Sequence, residues 1–162
     1  MLPLPGRVPG TTFELALDIH PGDAADLGSL RGAGWSVADP RAVVSTPAAF
    51  GAYVRGSGAE FSVAQGAYVA SRSGWFSDRS AVYLASGRPV LVQDTGAGRR
   101  LPVGEGLLTF ADLAGAEEGA RRLAADPIGH GEAARELARA HLDSDLVLGR
   151  LLERLGLGAA VA

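Results

Sequence analysis

The sequence predicts an α/β fold in which a mostly parallel sheet is flanked by helices. Short apolar segments of strand length alternate along the chain with longer segments of helical character, a pattern typical of parallel α/β proteins. The segment 89–93 is apolar almost throughout, as expected for a strand buried on both faces. Glycine is frequent, with 23 residues in 162, and glycine or proline marks most of the element boundaries. We therefore expect one Rossmann-like, doubly wound domain with five or six strands.

The strand predictions rest on alternating or continuous apolar residues between turn residues. They fall at 13–19, 35–37, 60–64, 89–93 and 106–110. Helices are predicted where an N-cap residue precedes an amphipathic segment, as at Thr46 before Pro47 and at Ser77. They fall at 21–30, 47–55, 77–85, 112–125, 131–141 and, capped by Asp143 or Ser144, up to residue 155.

The chain is predicted to contain a short entry segment and one domain. Residues 1–11 are rich in proline and glycine and are expected to be extended, as in an interdomain linker. Residues 12–162 are expected to form one Rossmann-like domain.

Composition excludes several classes of protein. The net charge of −3 argues against a general nucleic-acid-binding protein. The absence of cysteine excludes disulfides and thiolate metal sites. The sequence has neither a signal peptide pattern nor an apolar stretch long enough to span a membrane, so we expect a cytoplasmic protein. No metal or other cofactor is expected.

The loop before the helix at 77–85 is the first candidate site. A helix N-terminus presents free N–H groups and a positive dipole end, which favour phosphate binding. Two arginines flank the loop and are suited to bidentate contacts with phosphate. The predicted residues are Arg72, Ser73, Gly74, Trp75, Phe76, Ser77 and Arg79. The alternative is an ordinary glycine turn followed by a capping serine.

A second candidate site follows the strand at 89–93. Asp94, Thr95 and Gly96 lie where ligands of open α/β sheets bind, at the carboxyl ends of the strands. Asp94 can accept hydrogen bonds from sugar hydroxyls. The same three residue types are common in a simple turn, which is the alternative interpretation.

His20 is a candidate for catalysis or metal binding. Asp18 and His20 are two residues apart, so on a strand both would lie on one face, as a general base and its orienting carboxylate require. A turn role for His20 is the alternative, and His20 remains a weak catalytic candidate. His130 and His141 are expected to be exposed to solvent on helices.

The central segment also resembles a known family. The order of loop, helix, Ala85-Ser-Gly-Arg-Pro-Val90, strand and Asp94-Thr-Gly96 is similar to the donor-binding half of GT-B type nucleotide-sugar glycosyltransferases. The wider segment 13–153 resembles the C-terminal part of a bacterial glycosyltransferase-like group through three pieces. These pieces are Glu60-Phe-Ser-Val-Ala64, Ser71-Arg-Ser-Gly-Trp-Phe-Ser-Asp-Arg79 and His141-Leu-Asp-Ser-Asp145.

The resemblance implies that the loop and helix N-terminus hold the donor's diphosphate without a metal ion. It also implies that the acceptor and the catalytic base belong to an N-terminal domain, so this half alone is not expected to catalyse transfer. The chain departs from the family pattern at Gly74 and Val82, where many donor domains carry a carboxylate for the ribose. Asp78 is an alternative ribose ligand.

Two other classes of function remain open. A non-enzymatic assembly module would keep the fold and use its leucine-rich C-terminal helix to dimerise or to bind a partner protein. A small-molecule hydrolase or phosphatase is disfavoured, because the sequence lacks the Gly-x-Ser-x-Gly nucleophile motif.

Overall fold

The computed structural model describes residues 1–157 and gives an α/β protein. Its strands are β1 (Glu14–Ala16), β2 (Ser36–Ala38), β3 (Glu60–Ser62), β4 (Val90–Gln93) and β5 (Leu107–Phe110). Its helices are α1 (Leu4–Arg7), α2 (Ala24–Gly32), α3 (Pro40–Val43), α4 (Pro47–Gly56), α5 (Gly66–Ala70), α6 (Asp78–Ala85), α7 (Leu113–Ala125), α8 (Pro127–His141) and α9 (Ser144–Arg154). Short 3-10 turns cover Pro21–Asp23 and Ala97–Arg99. Residues 158–162 of the predicted domain lie outside the described part.

The strands form two parallel sheets rather than the single sheet that the sequence predicted. Strands β1 and β2 pair with each other, and β4 lies between β3 and β5 in the second sheet. Every strand pair in the described chain is parallel, as expected. Residues of β1 and of β3, which belong to different sheets, line one cleft.

Helices cover both faces of the three-stranded sheet. Side chains on a strand alternate between the faces, and β4 and β5 carry apolar residues on both. Leu91, Leu108 and Phe110 pack with residues of α1 and α7. Val90, Val92 and Leu107 pack on the other face with residues of α4, α6 and α8. The apolar segment 89–93 was therefore correctly predicted to be a strand buried on both sides.

The first eleven residues differ from the predicted extended segment. They include α1, whose Leu4 is fully buried, and Val8 is also buried. The indole N–H of Trp35 donates a hydrogen bond to the carbonyl oxygen of Leu2 at 2.9 Å. The segment is structured because its apolar side chains cover part of α7 that would otherwise face solvent.

Most other elements lie within a few residues of their predicted positions, with three kinds of difference. Strand β1 ends at Ala16 and not at residue 19, because the paired strand β2 ends at Ala38 and the backbone then turns into α3, which the Asp39 carboxylate caps. The short helices α3 and α5 were missed, and α5 lies in what was predicted to be a loop. Helix α8 begins one turn earlier than predicted, since Asp126 caps it before Pro127.

Helix α8 approaches strand β5 very closely at Gly106. A β-carbon at Gly106 would lie 2.4 Å from the backbone nitrogen of Ala134, and the residue has a φ of +71°. His130, one turn earlier on α8, is buried, and its Nδ1 accepts a hydrogen bond from the Gly106 N–H at 3.2 Å. The prediction that His130 is exposed was therefore wrong, because the helix face that carries it packs against the sheet.

We expect Gly106→Ala to destabilise the protein through both backbone strain and overpacking. Gly104→Ala is the matched control, since Gly104 also has a positive φ, of +129°, but has open space around it. Gly106→Ala should lose about 1–3 kcal/mol more than Gly104→Ala in the free energy of unfolding. Urea denaturation measures this free energy for both variants. Equal losses in the two variants would contradict the close contact between α8 and β5.

Candidate functional site

The two predicted binding segments meet at the carboxyl ends of the strands. The Gly74 N–H donates to the Thr95 carbonyl oxygen at 2.8 Å. The Thr95 hydroxyl, which is buried, donates to the Trp75 carbonyl oxygen at 2.6 Å. Gly96 has a φ of +90°, and a β-carbon there would come within 3.1 Å of the Arg72 carbonyl oxygen. The loop before α6 and the loop after β4 therefore form one surface.

Ser77 caps helix α6, as predicted. Its hydroxyl oxygen accepts a hydrogen bond from the Arg79 N–H at 3.2 Å. The Asp78 carboxylate accepts from the same N–H at 2.8 Å. The positive end of the helix dipole is thus already partly neutralised by Asp78. An anion bound at this end of α6 has to compete with that carboxylate.

Arg72 has an unusual backbone conformation beside this surface. Its φ is +47°, and it is the one residue other than glycine with a positive φ among residues 1–157. It occupies the C′ position of α5 in a Schellman motif, in which the Ser73 N–H bonds to Tyr68 and the Arg72 N–H to Val69. Glycine is the usual residue at that position, so arginine is present there at a cost in strain.

An ion pair joins the two loops. The Arg72 guanidinium donates to the Asp94 carboxylate at 3.1 Å, and the other Asp94 oxygen accepts from the Gly96 N–H at 2.7 Å. The Gly96 hydrogen bond, followed by the charges of Arg72 and Arg99, lowers the pKa of Asp94 below its ordinary value, although partial burial opposes the shift. Asp94 is therefore held ionised and oriented by the loop backbone.

Arg79 is directed toward β3 and not toward the loop. Its guanidinium donates to the Glu60 carboxylate at 2.6 Å and to the Ser62 hydroxyl at 3.1 Å. The Arg79 side chain is half exposed, whereas that of Glu60 is almost fully buried. The predicted phosphate contact of Arg79 thus requires the side chain to leave Glu60.

The two aromatic residues of the predicted site have different surroundings. Trp75 is partly exposed and stacks on Tyr68, with ring centroids 5.1 Å apart and planes 9° from parallel. Phe76 packs against the core on the α6 side of the sheet. Trp75 therefore remains available to a ligand, while Phe76 holds the loop to the core. Tyr68 was not singled out from the sequence, because its stacking partner is seven residues away across a turn.

A small cavity behind the loop contains residues that the sequence did not identify. It measures about 10 Å³, room for one water molecule. The hydroxyl residues Ser62, Ser77 and Ser80 line it, and the fully buried Ser80 hydroxyl has no hydrogen-bond partner among the described residues. The spacing of Ser77 and Ser80, one helical turn apart, is the signal that could have revealed it.

His20 does not join this surface. Its Nδ1 accepts a hydrogen bond from the Gly22 N–H at 3.0 Å and caps the 3-10 turn. Asp18 instead pairs with Arg41 at 3.1 Å. Asp18 and His20 do not lie on one strand face as expected, since β1 ends at Ala16. The geometry matches the turn role of His20.

A cleft of about 760 Å³ lies away from this surface, between the two sheets. Residues that precede β1 and β3 line it, so it extends toward the amino ends of those strands. It contains the Glu60–Arg79 pair and two tyrosines. The Tyr53 hydroxyl donates to Glu14 at 2.9 Å, and the Tyr83 hydroxyl lies 3.3 Å from the Ser57 hydroxyl.

Comparisons with known proteins do not identify a relative. A scan against protein-family models finds no match, and neither do searches of curated proteins and of solved structures.

Two further findings concern metals and membranes. Within residues 1–157, no group of three or more His, Cys, Asp and Glu side chains is arranged to hold a metal ion. No helix in that part of the chain combines the length and apolar character needed to cross a membrane.

The lowered pKa of Asp94 predicts how its contribution to stability changes with pH. The pKa of Asp94 in the folded protein lies below the ordinary value of 3.8. The ionised carboxylate therefore contributes its full stabilisation of the fold at pH values above 3.8. The contribution is lost as the pH falls through the folded pKa. Asp94→Asn keeps an acceptor for Gly96 but removes the charge, and should cost about 1 kcal/mol or less at neutral pH.

Urea denaturation of wild type and Asp94→Asn over a pH series measures this effect. The difference between the two free energies of unfolding should shrink as the pH is lowered from neutral into the acid range. A difference that stays constant with pH would show that the charge of Asp94 is not stabilising.

Proposed function

We propose that the chain is the donor-binding half of a GT-B type glycosyltransferase and binds a nucleotide-diphosphate sugar. The observation that supports this most strongly is the meeting of the Arg72–Ser77 loop with Asp94–Gly96 beside the N-terminus of α6. Ligands of open α/β sheets bind at such carboxyl ends. The resemblance described for the central segment adds the ligand class.

The Rossmann-like, doubly wound topology is part of this proposal. We infer that β1 lies beside β3 across the cleft that both line, which would order the strands in space as β2, β1, β3, β4 and β5. That order reverses direction between β1 and β3, as it does in one of the two common doubly wound arrangements. Helices on both faces of β4 and β5 are consistent with it.

Each residue of the loop surface has a distinct role in donor binding. The diphosphate accepts hydrogen bonds from backbone N–H groups of the loop and the first turn of α6, and Arg72 supplies positive charge. Asp94 orients Arg72 and accepts hydrogen bonds from sugar hydroxyls. Trp75, stacked on Tyr68, offers its ring to the base or the sugar. The helix end stabilises the leaving diphosphate in place of a metal ion.

The acceptor and the catalytic base come from a second domain or chain in this proposal. Glycosyl transfer requires donor and acceptor to be held together, and the donor surface provides only one of them. The expected activity of the chain alone is therefore donor binding without rapid transfer.

We expect one class of nucleotide-diphosphate sugar to raise the thermal stability of the protein. A ligand at 100 times its dissociation constant should stabilise the fold by about 2.7 kcal/mol. Thermal denaturation with a panel of nucleotide sugars and free nucleoside diphosphates measures the shift. Arg72→Gly should abolish it while relieving backbone strain, and Arg79→Ala and Ser77→Ala should reduce it.

Controls separate donor binding from general effects. Ser77→Ala removes a helix cap worth about 1 kcal/mol, so each shift is compared with the same variant without ligand. Arg100→Ala is the matched control, since it removes an exposed arginine from the neighbouring loop. Absence of a shift with every nucleotide, or an equal loss in Arg100→Ala, would contradict the donor site.

Helix α9 favours a second candidate function, that of an assembly module. None of its side chains is buried, and its leucines are 41–54% exposed. An isolated helix of 11 residues is only marginally stable in water, so its apolar face needs a partner. Residues three and four apart lie on one helix face, which groups Leu148, Leu151, Leu152 and, just beyond the helix, Leu155.

If α9 mediates self-association, Leu148→Glu should convert an oligomer to a monomer. Burying a charge without a partner in an apolar interface is strongly unfavourable. Leu146→Glu is the matched control, because helical spacing places Leu146 on the opposite side of α9 at similar exposure. Light scattering coupled to size-exclusion chromatography gives the mass. A wild-type monomer at all concentrations would contradict self-association.

A further inference from the structure

Among the residues of the proposed donor surface, only Arg79 also lines the cleft between the two sheets. The cleft is bounded by β1 and by β3, and each of these strands pairs with a neighbour on its other side only. Its volume of about 760 Å³ lies within the range of small-molecule sites. The residues that precede β1 and β3 line it, whereas the donor surface follows β3 and β4. No residue of the Ser73–Ser77 loop lines the cleft.

The cleft carries an excess of negative charge. Three charged residues are among the described side chains that line it, namely Glu14, Glu60 and Arg79. Arg79 is already paired with Glu60 at 2.6 Å. Glu14 accepts hydrogen bonds from Tyr53 at 2.9 Å and from Ser36 at 3.5 Å and has no cationic partner among the described residues. The cleft therefore has a formal charge of −1.

The second carboxylate oxygen of Glu60 lacks a partner. Oε1 receives the Arg79 hydrogen bond, whereas Oε2 is buried without any hydrogen bond from the described residues. Glu60 is only 5% exposed. Leaving a charged acceptor buried and unpaired is costly, so a donor that reaches Oε2 would be strongly favoured. Oε2 of Glu60 is therefore an unused acceptor for a ligand that carries a hydrogen-bond donor.

The tyrosine hydroxyls of the cleft add no charge to it. Burial, with the Glu14 hydrogen bond next, raises the pKa of Tyr53 well above its ordinary range. Burial likewise raises the pKa of Tyr83. Both hydroxyls therefore remain neutral near neutral pH, so among the described residues the formal charge of the cleft comes from Glu14, Glu60 and Arg79 alone.

Aromatic rings line the same cleft. Phe13, Trp35 and Phe61 contact one another, with ring centroids 5.5–6.1 Å apart. The faces of aromatic rings attract cations. Carboxylates together with aromatic rings are a combination that recognises organic ammonium ions.

We propose that the cleft binds the primary ammonium group of a small organic molecule. The ammonium group donates to Glu60 Oε2 and to the Glu14 carboxylate, and its carbon chain lies against Phe13, Trp35 and Phe61. An anion is excluded by the two carboxylates. A neutral alcohol has one O–H, so it donates only one of the two hydrogen bonds and leaves the charge uncompensated. A quaternary ammonium ion supplies charge without a donor for Oε2.

The test compares three matched probes on the wild-type protein. They are n-butylammonium, the neutral 1-butanol and tetramethylammonium, added as chloride salts where charged. Calorimetry measures affinity, and quenching of tryptophan fluorescence in wild type and Trp75→Phe reports on Trp35. We expect n-butylammonium to bind about tenfold or more tightly than either other probe, as a charge-assisted hydrogen bond requires. Equal affinities, preference for 1-butanol, or no binding of n-butylammonium would overturn the proposal.

Variants locate the bound ammonium ion. Glu60→Gln should weaken n-butylammonium about tenfold or more. Glu14→Gln, at an exposed position, should weaken it as well and tests the site even if Glu60→Gln does not fold. Arg100→Ala should leave the affinity unchanged, because Arg100 is exposed and does not line the cleft. Binding that survives both glutamate variants, or that is lost in Arg100→Ala, would overturn the assignment.

The thermal denaturation panel with nucleotides tests the donor surface separately from the cleft. Stabilisation by n-butylammonium without any nucleotide shift would support the cleft and contradict the donor surface. The reverse result would contradict the cleft alone.

Discussion

The burial of strand β4 on both faces is the constraint on which the rest of the structure depends. Val90 and Leu91 point to opposite sides and are almost completely inaccessible. Each face needs its own helical cover, since burying apolar surface is the main favourable term in folding. Helices α7 and α8 supply it, and their close approach requires glycine at Gly106 and at Gly119. With β4 fixed, the chain that leaves its carboxyl end has to pass beside α6.

The loop surface follows from this packing. Asp94 and Gly96 follow directly after β4. The loop before α6 approaches them closely because Gly74 and Gly96 adopt positive φ values. The strain at Arg72 is tolerated since the Schellman motif, the Asp94 ion pair and the Arg99 contact hold it from several directions. A surface built from backbone N–H groups, an oriented carboxylate and strained arginine is suited to recognition rather than to stability.

The sequence predicted the parts of the fold that depend on local pattern. The caps at Thr46 and Ser77 and the buried β4 are confirmed, because caps and apolar runs are encoded within a few residues. Of the two caps predicted for α9, Asp143 or Ser144, the structure shows Asp143. The division into two sheets was not, since strand pairing depends on contacts distant in sequence. For the same reason the burial of His130 against Gly106 was missed. The expectation that the loop before α6 and Asp94–Gly96 share one crevice agrees with their hydrogen bonds. The Glu60–Arg79 pair was not predicted, because 19 residues separate its members.

Through its ion pair with Glu60, Arg79 couples the proposed donor surface to the cleft. It lies in the first turn of α6, near the proposed diphosphate, yet its guanidinium is bound to Glu60 in the cleft. An anion that recruits Arg79 leaves Glu60 buried and unpaired, which opposes anion binding. A cation in the cleft compensates Glu60 and releases Arg79 at lower cost. If both sites bind as proposed, each ligand therefore strengthens the other, and because such coupling is reciprocal, its size can be measured from either side.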